Sequence, residues 1–342
     1  MSADEDNFLR LAAWLRDKLG FDKVSPGALL AGGNVNVVRR LETEIGPVIL
    51  RHPPADAISP KSAAGIGREV QVMRALAATG RAPQLLAYCD DPAVIGVPFM
   101  IAECVDGVAI TDQLPDAYLA HAGTVTRIGE ELVDALACVH SLDWRAAGLK
   151  DFGNPQGWAT RQVQRWLDLR AREKVRELPL FAELGEWLLA NVPAQTDGAL
   201  IHGDYHLDNT LFAREEPRLR AIIDWELSAI ADPLLDLGLM LMFWGERSLD
   251  VPAFPHVQAV TRGAGPEARR HLAARWSAAT GRSLGGLPFY GCLAFWRLAG
   301  VVEGAFILNT QGRHDTAYAR QLEANVPRLL AEAEAAASGR WS

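Results

Sequence analysis

The sequence predicts an α+β protein with a small β-rich lobe and a larger, mainly helical lobe. Three observations lead there. From about residue 29 to residue 105, apolar residues fall in short β-type runs separated by glycine-bearing turns. After residue 116 the apolar spacing becomes helical over most of the chain. A compact strand–loop–strand island at 199–224 is embedded among those helices. The lobes are placed at residues 1–105 and 106–342.

Each element follows from its local pattern. Phe8, Leu11, Ala12, Leu15 and Leu19 repeat at helical spacing, and Gly20 stops that helix. Val35–Val38, Pro47–Arg51 and Val97–Val105 read as strands, with turns at Gly32-Gly33-Asn34 and Glu44-Ile45-Gly46. One helix, around Gly67–Ala78, sets Val70, Met73 and Leu76 on one face. Thr124–His140, Arg161–Val175 and Leu234–Trp244 are helical in pattern, as is the Ala-, Arg- and Trp-rich stretch 265–342. A mixed sheet-and-helix chain of this order is α+β.

The chain's 342 residues suggest two domains at roughly 150 residues each. Its 49% hydrophobic and 22% charged content excludes a disordered chain. A formal charge of −8 argues against a nucleic-acid partner, which needs clustered cations. Residues 1–105 carry 11 Lys+Arg against 12 Asp+Glu, so most of the excess negative charge lies later. No run of about 18 apolar residues stands out, so no membrane span is expected. The acidic start Asp4-Glu5-Asp6 is unlike a signal peptide, and Cys89, Cys104, Cys138 and Cys292 lack CxxC spacing. A reduced, cytoplasmic protein is expected.

The chemistry is concentrated in Ile201-His202-Gly203-Asp204-Tyr205-His206-Leu207-Asp208-Asn209-Thr210-Leu211-Phe212. Polar groups crowded between apolar strands are costly unless they bind something. Asp224 follows Asn209 by 15 residues, behind the β-branched run Ile222-Ile223. An Asp, an Asn five residues on, and a strand ending in Asp suit phosphoryl transfer. That reaction needs a carboxylate to take the acceptor's proton and hard oxygen ligands for Mg²⁺.

His202-Gly203-Asp204 through Asn209, followed by Ile223-Asp224-Trp225-Glu226, resembles the catalytic loop and metal-binding segment of the aminoglycoside phosphotransferase superfamily. Upstream, Gly32-Gly33-Asn34 resembles its nucleotide-covering turn, Val48–Arg51 its cation-bearing strand, and Glu69 the carboxylate that pairs with that cation. Pro98–Gly107 resembles the hinge between lobes. Asp232–Gly238 and Tyr290–Gly304 are most similar to the branch associated with acyl-CoA dehydrogenases. The resemblance implies a protein-kinase-like two-lobe fold and a small-molecule kinase using ATP and Mg²⁺ on a hydroxylated acceptor. It makes Asp204 the base, Asn209 and Asp224 the metal ligands, and Arg51 the phosphate-binding cation oriented by Glu69. The carbonyl of Ala102 and amide of Cys104 would meet adenine, and His202 would brace the loop.

Some features carry plainer readings. Gly32-Gly33-Asn34 lacks G-x-G-x-x-G and by itself is a hairpin turn. Asp151-Phe152-Gly153 precedes Asp204 by 53 residues, the wrong order for a kinase metal tripeptide. Asp208 and Glu226 read as solvated or capping carboxylates, and Asp232 and Asp236 as helix-start residues, with Asp232 the N-cap. His140 reads as a cation at a helix C-terminus. Arg161, Arg165, Arg172 and Arg176 would line one helical face, either solvated or reading an anionic acceptor such as a hydroxyacyl-CoA. A polycationic aminoglycoside would be repelled by such a face. An aminoglycoside or amino-alcohol kinase and a non-catalytic nucleotide-binding module are the alternatives. An iron site from His202, Asp204 and His256 or His271 is a third, and it needs strands where the sequence reads as helix.

Overall fold

The computed structural model describes residues 3–30, 36–54, 60–111, 113–194, 197–245, 260–265, 267–312 and 317–340. They fold into two compact units. The first comprises Met1–Asp106 together with Trp144–Phe152 and Arg220–Ser228. The second comprises Gly107–Asp143, Gly153–Leu219 and Ala229–Ser342. Each unit has its own core.

In the first unit, helix α1 (Ala3–Leu19) ends where Gly20 takes φ 73°. A five-stranded antiparallel sheet follows, made of β1 (Val24–Leu29), β2 (Val37–Thr43), β3 (Gly46–His52), β4 (Leu85–Cys89) and β5 (Phe99–Glu103). Its spatial order is β1-β2-β3-β5-β4. Helix α2 (Pro60–Leu76) and the short α3 (Pro92–Ile95) complete the unit. The core beside α1 gathers Leu11, Leu15, Phe21, Leu41, Val48, Leu50, Phe99 and Ile101. Strand side chains alternate between faces, so burying Val48 and Leu50 turns Ile49 and Arg51 to the opposite face. Buried Ile66, Val70, Met73 and Leu76 give α2 its apolar stripe.

β1 and β4 are strands the sequence pattern does not announce. β1 contains Pro26 and Gly27, both poor strand formers, and is tolerated as an edge with a bulge between Pro26 and Leu29. β4 is the opposite edge, and its continuous Leu-Leu-Ala-Tyr-Cys has no alternation to read.

The second unit is mainly helical: α4 (Thr124–His140), α5 (Trp158–Arg172), α6 (Pro179–Ala190), α7 (Leu234–Met242), α8 (Ala268–Thr280), α9 (Leu287–Thr310) and α10 (Ala317–Ala337). Short strands β6 (Ala199–Ile201) and β9 (Ala229–Ala231) pair antiparallel, with Ile201 opposite Ala229. Strand β7 (Thr210–Phe212) bridges Val108, and β8 (Leu219–Ile222) begins the stretch Arg220–Ser228 of the first unit, which carries Asp224. α9 corrects one expectation. Its 24 residues are long and apolar enough to span a membrane, yet the helix is largely buried and carries Arg297 and a buried Glu303. It is a core helix. Gly238 of α7 lets it approach, since a Cβ there would lie 2.9 Å from the Tyr290 carbonyl oxygen.

Candidate active site

In the first unit, one guanidinium holds three carboxylates. Arg51 Nε lies 3.0 Å from Glu69 Oε2 on α2. Its Nη2 pairs with Asp224 Oδ1 and lies 3.2 Å from Glu226 Oε2. Asn36 Nδ2 donates to the same Glu226 oxygen at 2.7 Å, and the Trp225 amide donates to Glu69 Oε1 at 3.4 Å. Glu226 is therefore not the solvated carboxylate expected from sequence but part of the Arg51 cage.

Asp224 is the one non-glycine residue with positive φ among those described, at φ 65° and ψ 61°. That left-handed backbone costs on the order of 1–3 kcal/mol and must be over-determined by its surroundings. The single turn Trp225–Leu227 does so. Trp225 Nε1 donates to the Ile222 carbonyl at 2.9 Å, and Ser228 Oγ to the Trp225 carbonyl at 2.6 Å.

Three carboxylates against one cation leave surplus negative charge. Burial pushes the Glu69 carboxyl up; Arg51 opposes this, while Asp224 and Glu226 add to it, and the outcome is about 7. Burial and the neighbouring Asp224 likewise raise Glu226, with Arg51 and Asn36 pulling the other way.

In the second unit, the loop after β6 is held by Asp236 of α7, which is fully buried. Asp236 Oδ2 accepts the His202 amide at 2.6 Å, and Oδ1 accepts the Gly203 amide at 2.8 Å. Gly203 sits at φ 85°, a conformation that favours glycine. His140 Nε2 lies 3.3 Å from Asp236 Oδ2, and its Nδ1 takes the Trp276 indole N–H at 3.0 Å. Indole is only a donor, so Nδ1 is unprotonated and the Nε2 hydrogen belongs to Asp236. His140 is thus not a cation serving a helix dipole, and Asp236 does more than start a helix. Asp232 accepts the Leu234 amide at 3.0 Å from one residue ahead of the N-cap, which is Pro233 rather than the expected Asp232.

His202 braces the loop, its Nδ1 accepting the Asp204 amide at 3.3 Å. Tyr205 is buried and donates its hydroxyl to the Leu132 carbonyl at 2.8 Å. Asp204 keeps its side chain half-exposed, with His206 Nε2 3.5 Å from Oδ2. Burial would raise the Asp204 carboxyl, but His206, His202 and Asn209 outweigh it and hold it below the usual aspartate range. His206 in turn packs edge-on to Phe243, ring centroids 5.5 Å apart. Asn209 Nδ2 donates to the Asp204 carbonyl at 2.8 Å and to Oδ2 at 3.1 Å. With its nitrogen so committed, Asn209 has its amide oxygen as the end suited to a hard metal.

Thus Arg51, Glu69 and Asp224 gather in the first unit, and Asp204 and Asn209 in the second. Ala102 lies on β5 between Ile49 and Leu85, and Cys104 follows that strand. Gly32, Gly33 and Asn34 lie outside the described residues.

The arginine face does not survive as a stripe. Arg161 donates to the carbonyls of Gln156 and Asn154. Arg176 lies beyond the end of α5 and forks onto Glu303 at 2.6–3.1 Å. Phe152 of the Asp-Phe-Gly tripeptide gives its carbonyl to Arg68 at 2.9 Å and its ring to the same guanidinium, a structural use. The iron reading also fails for His271, which sits on helix α8 against Glu130 at 2.8 Å. His256 lies outside the described residues, and among those described no three His, Cys, Asp or Glu gather as a metal site.

Residues 27–282 match the phosphotransferase enzyme family APH. Acyl-CoA dehydrogenase family member 11 of Mus musculus is 30% identical over 333 residues, covering 94% of this chain and 42% of that protein. The chain spans less than half the length of this curated relative. A crystal structure from Ralstonia eutropha JMP134, named for an aminoglycoside phosphotransferase, is 28% identical with a TM-score of 0.81, covering 97% of this chain and 98% of the other. The ternary complex of APH(2")-IIa with streptomycin and ATP shares the fold at 15% identity, TM-score 0.56, covering 91% of this chain and 96% of its own. On its sequence match, its fold and its order of elements, the chain belongs to the phosphotransferase enzyme family and is a small-molecule phosphotransferase with the protein-kinase-like fold.

Proposed function

We propose that the chain moves the γ-phosphate of ATP to a hydroxyl of an anionic small molecule, with Asp204 as the general base. The observation that carries this reading is the state of Asp204. Its carboxylate is half-exposed and held ionised by His206, His202 and Asn209, on a loop anchored through two backbone amides. An ionised carboxylate within reach of an acceptor hydroxyl takes its proton as oxygen attacks phosphorus.

Asn209 and Asp224 offer the amide and carboxylate oxygens that magnesium prefers. When bound, magnesium neutralises charge on the phosphates and the phosphoryl group in transfer. Arg51 supplies a fork of donors that cannot lose its charge, suited to phosphate oxygens, and Glu69 orients it. Ala102 and Cys104 offer backbone groups to adenine. A streptomycin–ATP complex of a fold relative supports the choice of nucleotide.

The anionic acceptor is supported by Arg165, which is exposed and makes no ion pair among the described residues. The acyl-CoA dehydrogenase relatives support a hydroxyacyl-CoA-like acceptor. An aminoglycoside acceptor is the second reading, carried by the name of the Ralstonia structure.

The test is an ATP-consumption screen over hydroxyacyl-CoAs, amino alcohols and aminoglycosides, with mass spectrometry of the product. A phosphorylated hydroxyacyl-CoA is the expected product. Asp204→Asn should lower turnover by about 10²–10⁴-fold. Wild-type turnover in that variant removes Asp204 from the mechanism, and preferential phosphorylation of an aminoglycoside favours the second reading.

A further inference from the structure

Arg297 is a cation whose place the reaction scheme above leaves unused. It sits midway along α9, a helix the sequence presents as almost wholly apolar. Burial is the largest influence on it and holds its pKa below the usual guanidinium value, while Asp204 and Asp236 pull upward and Arg165 opposes them. Its Nη2 lies 3.5 Å from the Gly203 carbonyl. Its Nη1 is buried and has no hydrogen-bond partner among the described residues. A buried guanidinium is expensive, and a chain retains one where its charge has a task.

The neighbouring contacts point to that task. The Gly203 amide is held by Asp236 from α7, and the Gly203 carbonyl faces Arg297 from α9. Gly203, immediately before the proposed base, is thus held at its amide and at its carbonyl by opposite charges from two helices. Those helices pack closely against each other. Gly238, two residues after Asp236, admits the Tyr290 backbone at a separation a Cβ could not tolerate. Further along α9, Trp296 is fully buried, stacks on Phe181 at 4.4 Å and donates its indole N–H to the Phe181 carbonyl. Arg297 therefore projects from a fixed part of its helix.

We infer that Arg297 is a positioning residue for phosphoryl transfer, its charge holding the Gly203 carbonyl and the Asp204 carboxylate in the arrangement that accepts the proton. This rests on Asp204 being the base. Arg297 belongs to the second unit, whereas Arg51 and its three carboxylates form a cluster of the first. Its loss therefore acts on kcat and spares nucleotide binding.

The experiment compares the full-length wild type with Arg297→Met, Arg297→Gln and Arg297→Lys, reading ADP release from magnesium-ATP with water as acceptor. KM for ATP and thermal unfolding are measured alongside. Methionine keeps the aliphatic packing without charge, glutamine keeps a donor for the Gly203 carbonyl, and lysine keeps the charge. The expected result is a fall in kcat of about ten- to a hundredfold in the two neutral variants, with KM for ATP unchanged and partial recovery in lysine. A folded neutral variant with wild-type kcat overturns the inference. So does failure of all three to fold, which makes Arg297 part of the scaffold. Asp204→Asn, run in parallel, separates the two levels. If it is inactive while the Arg297 variants are normal, only this inference falls. If it turns over like wild type, or if the wild type consumes no ATP with water or with any acceptor of the screen, the parent reading falls.

Discussion

Arg51 shows at the residue scale how much one side chain can gather. Its guanidinium is almost buried and faces Glu69, Asp224 and Glu226. Removing the charge in Arg51→Met leaves three mutually repelling carboxylates. The loss should cost about 3–5 kcal/mol in urea denaturation without nucleotide. Added magnesium should recover part of that, and KM for ATP should rise strongly. Glu69 carries the complementary prediction. Its folded pKa of about 7 lies above the ordinary 4.5, so the folded chain binds the proton more tightly than the unfolded chain. This contribution is fully present below about pH 4.5 and is lost as pH rises through 7, a change on the order of 3 kcal/mol. Glu69→Gln should flatten that part of the stability–pH profile, measured by thermal unfolding in nucleotide-free buffers. The residues at 51, 69, 204, 209 and 224 stand out in the sequence because the proposed phosphoryl transfer needs those functional groups in that order. The participation of Glu226 is not legible, because its meaning depends on sharing Arg51 and Asn36.

At the scale of elements, periodicity succeeds where burial is one-sided. The bounds Thr124–His140 follow from an apolar face of Ile128, Leu132, Leu136 and Val139, all buried. It fails at β1, where Pro26 and Gly27 are tolerated only because the strand is an edge. It also misplaces Arg176, which lies past the end of α5 and serves Glu303 of α9. The contact of α7 with α9 turns on one missing Cβ. Gly238→Ala would set a methyl 2.9 Å from the Tyr290 oxygen and 3.0 Å from its carbonyl carbon, against backbone that cannot rotate away. Chemical denaturation should report a loss of about 1–3 kcal/mol. Activity per folded molecule should fall as well, because Asp236 and Arg297 reach the Gly203 amide and carbonyl from these two helices.

Across the whole molecule, the residues proposed for nucleotide chemistry and the residue proposed for proton acceptance belong to different units. Arg51, Glu69 and Asp224 are built into the first, Asp204 and Asn209 into the second. Asp204→Asn should therefore bind magnesium-ATP with nearly wild-type affinity in calorimetry while transfer is lost. Marked weakening of binding would show that the base also serves the nucleotide. The net charge of −8 says little about the acceptor, since one exposed arginine in the right place outweighs a distant average. By itself the sequence determined the α+β class and the family and nominated the reacting groups, because periodicity and functional-group chemistry are properties of residue type and order. Only the tertiary structure decided what holds those groups still. Asp236 and Arg297 stand 33 and 94 residues from Gly203, and the amide and carbonyl they hold are common to every residue, so no pattern of side chains could announce them.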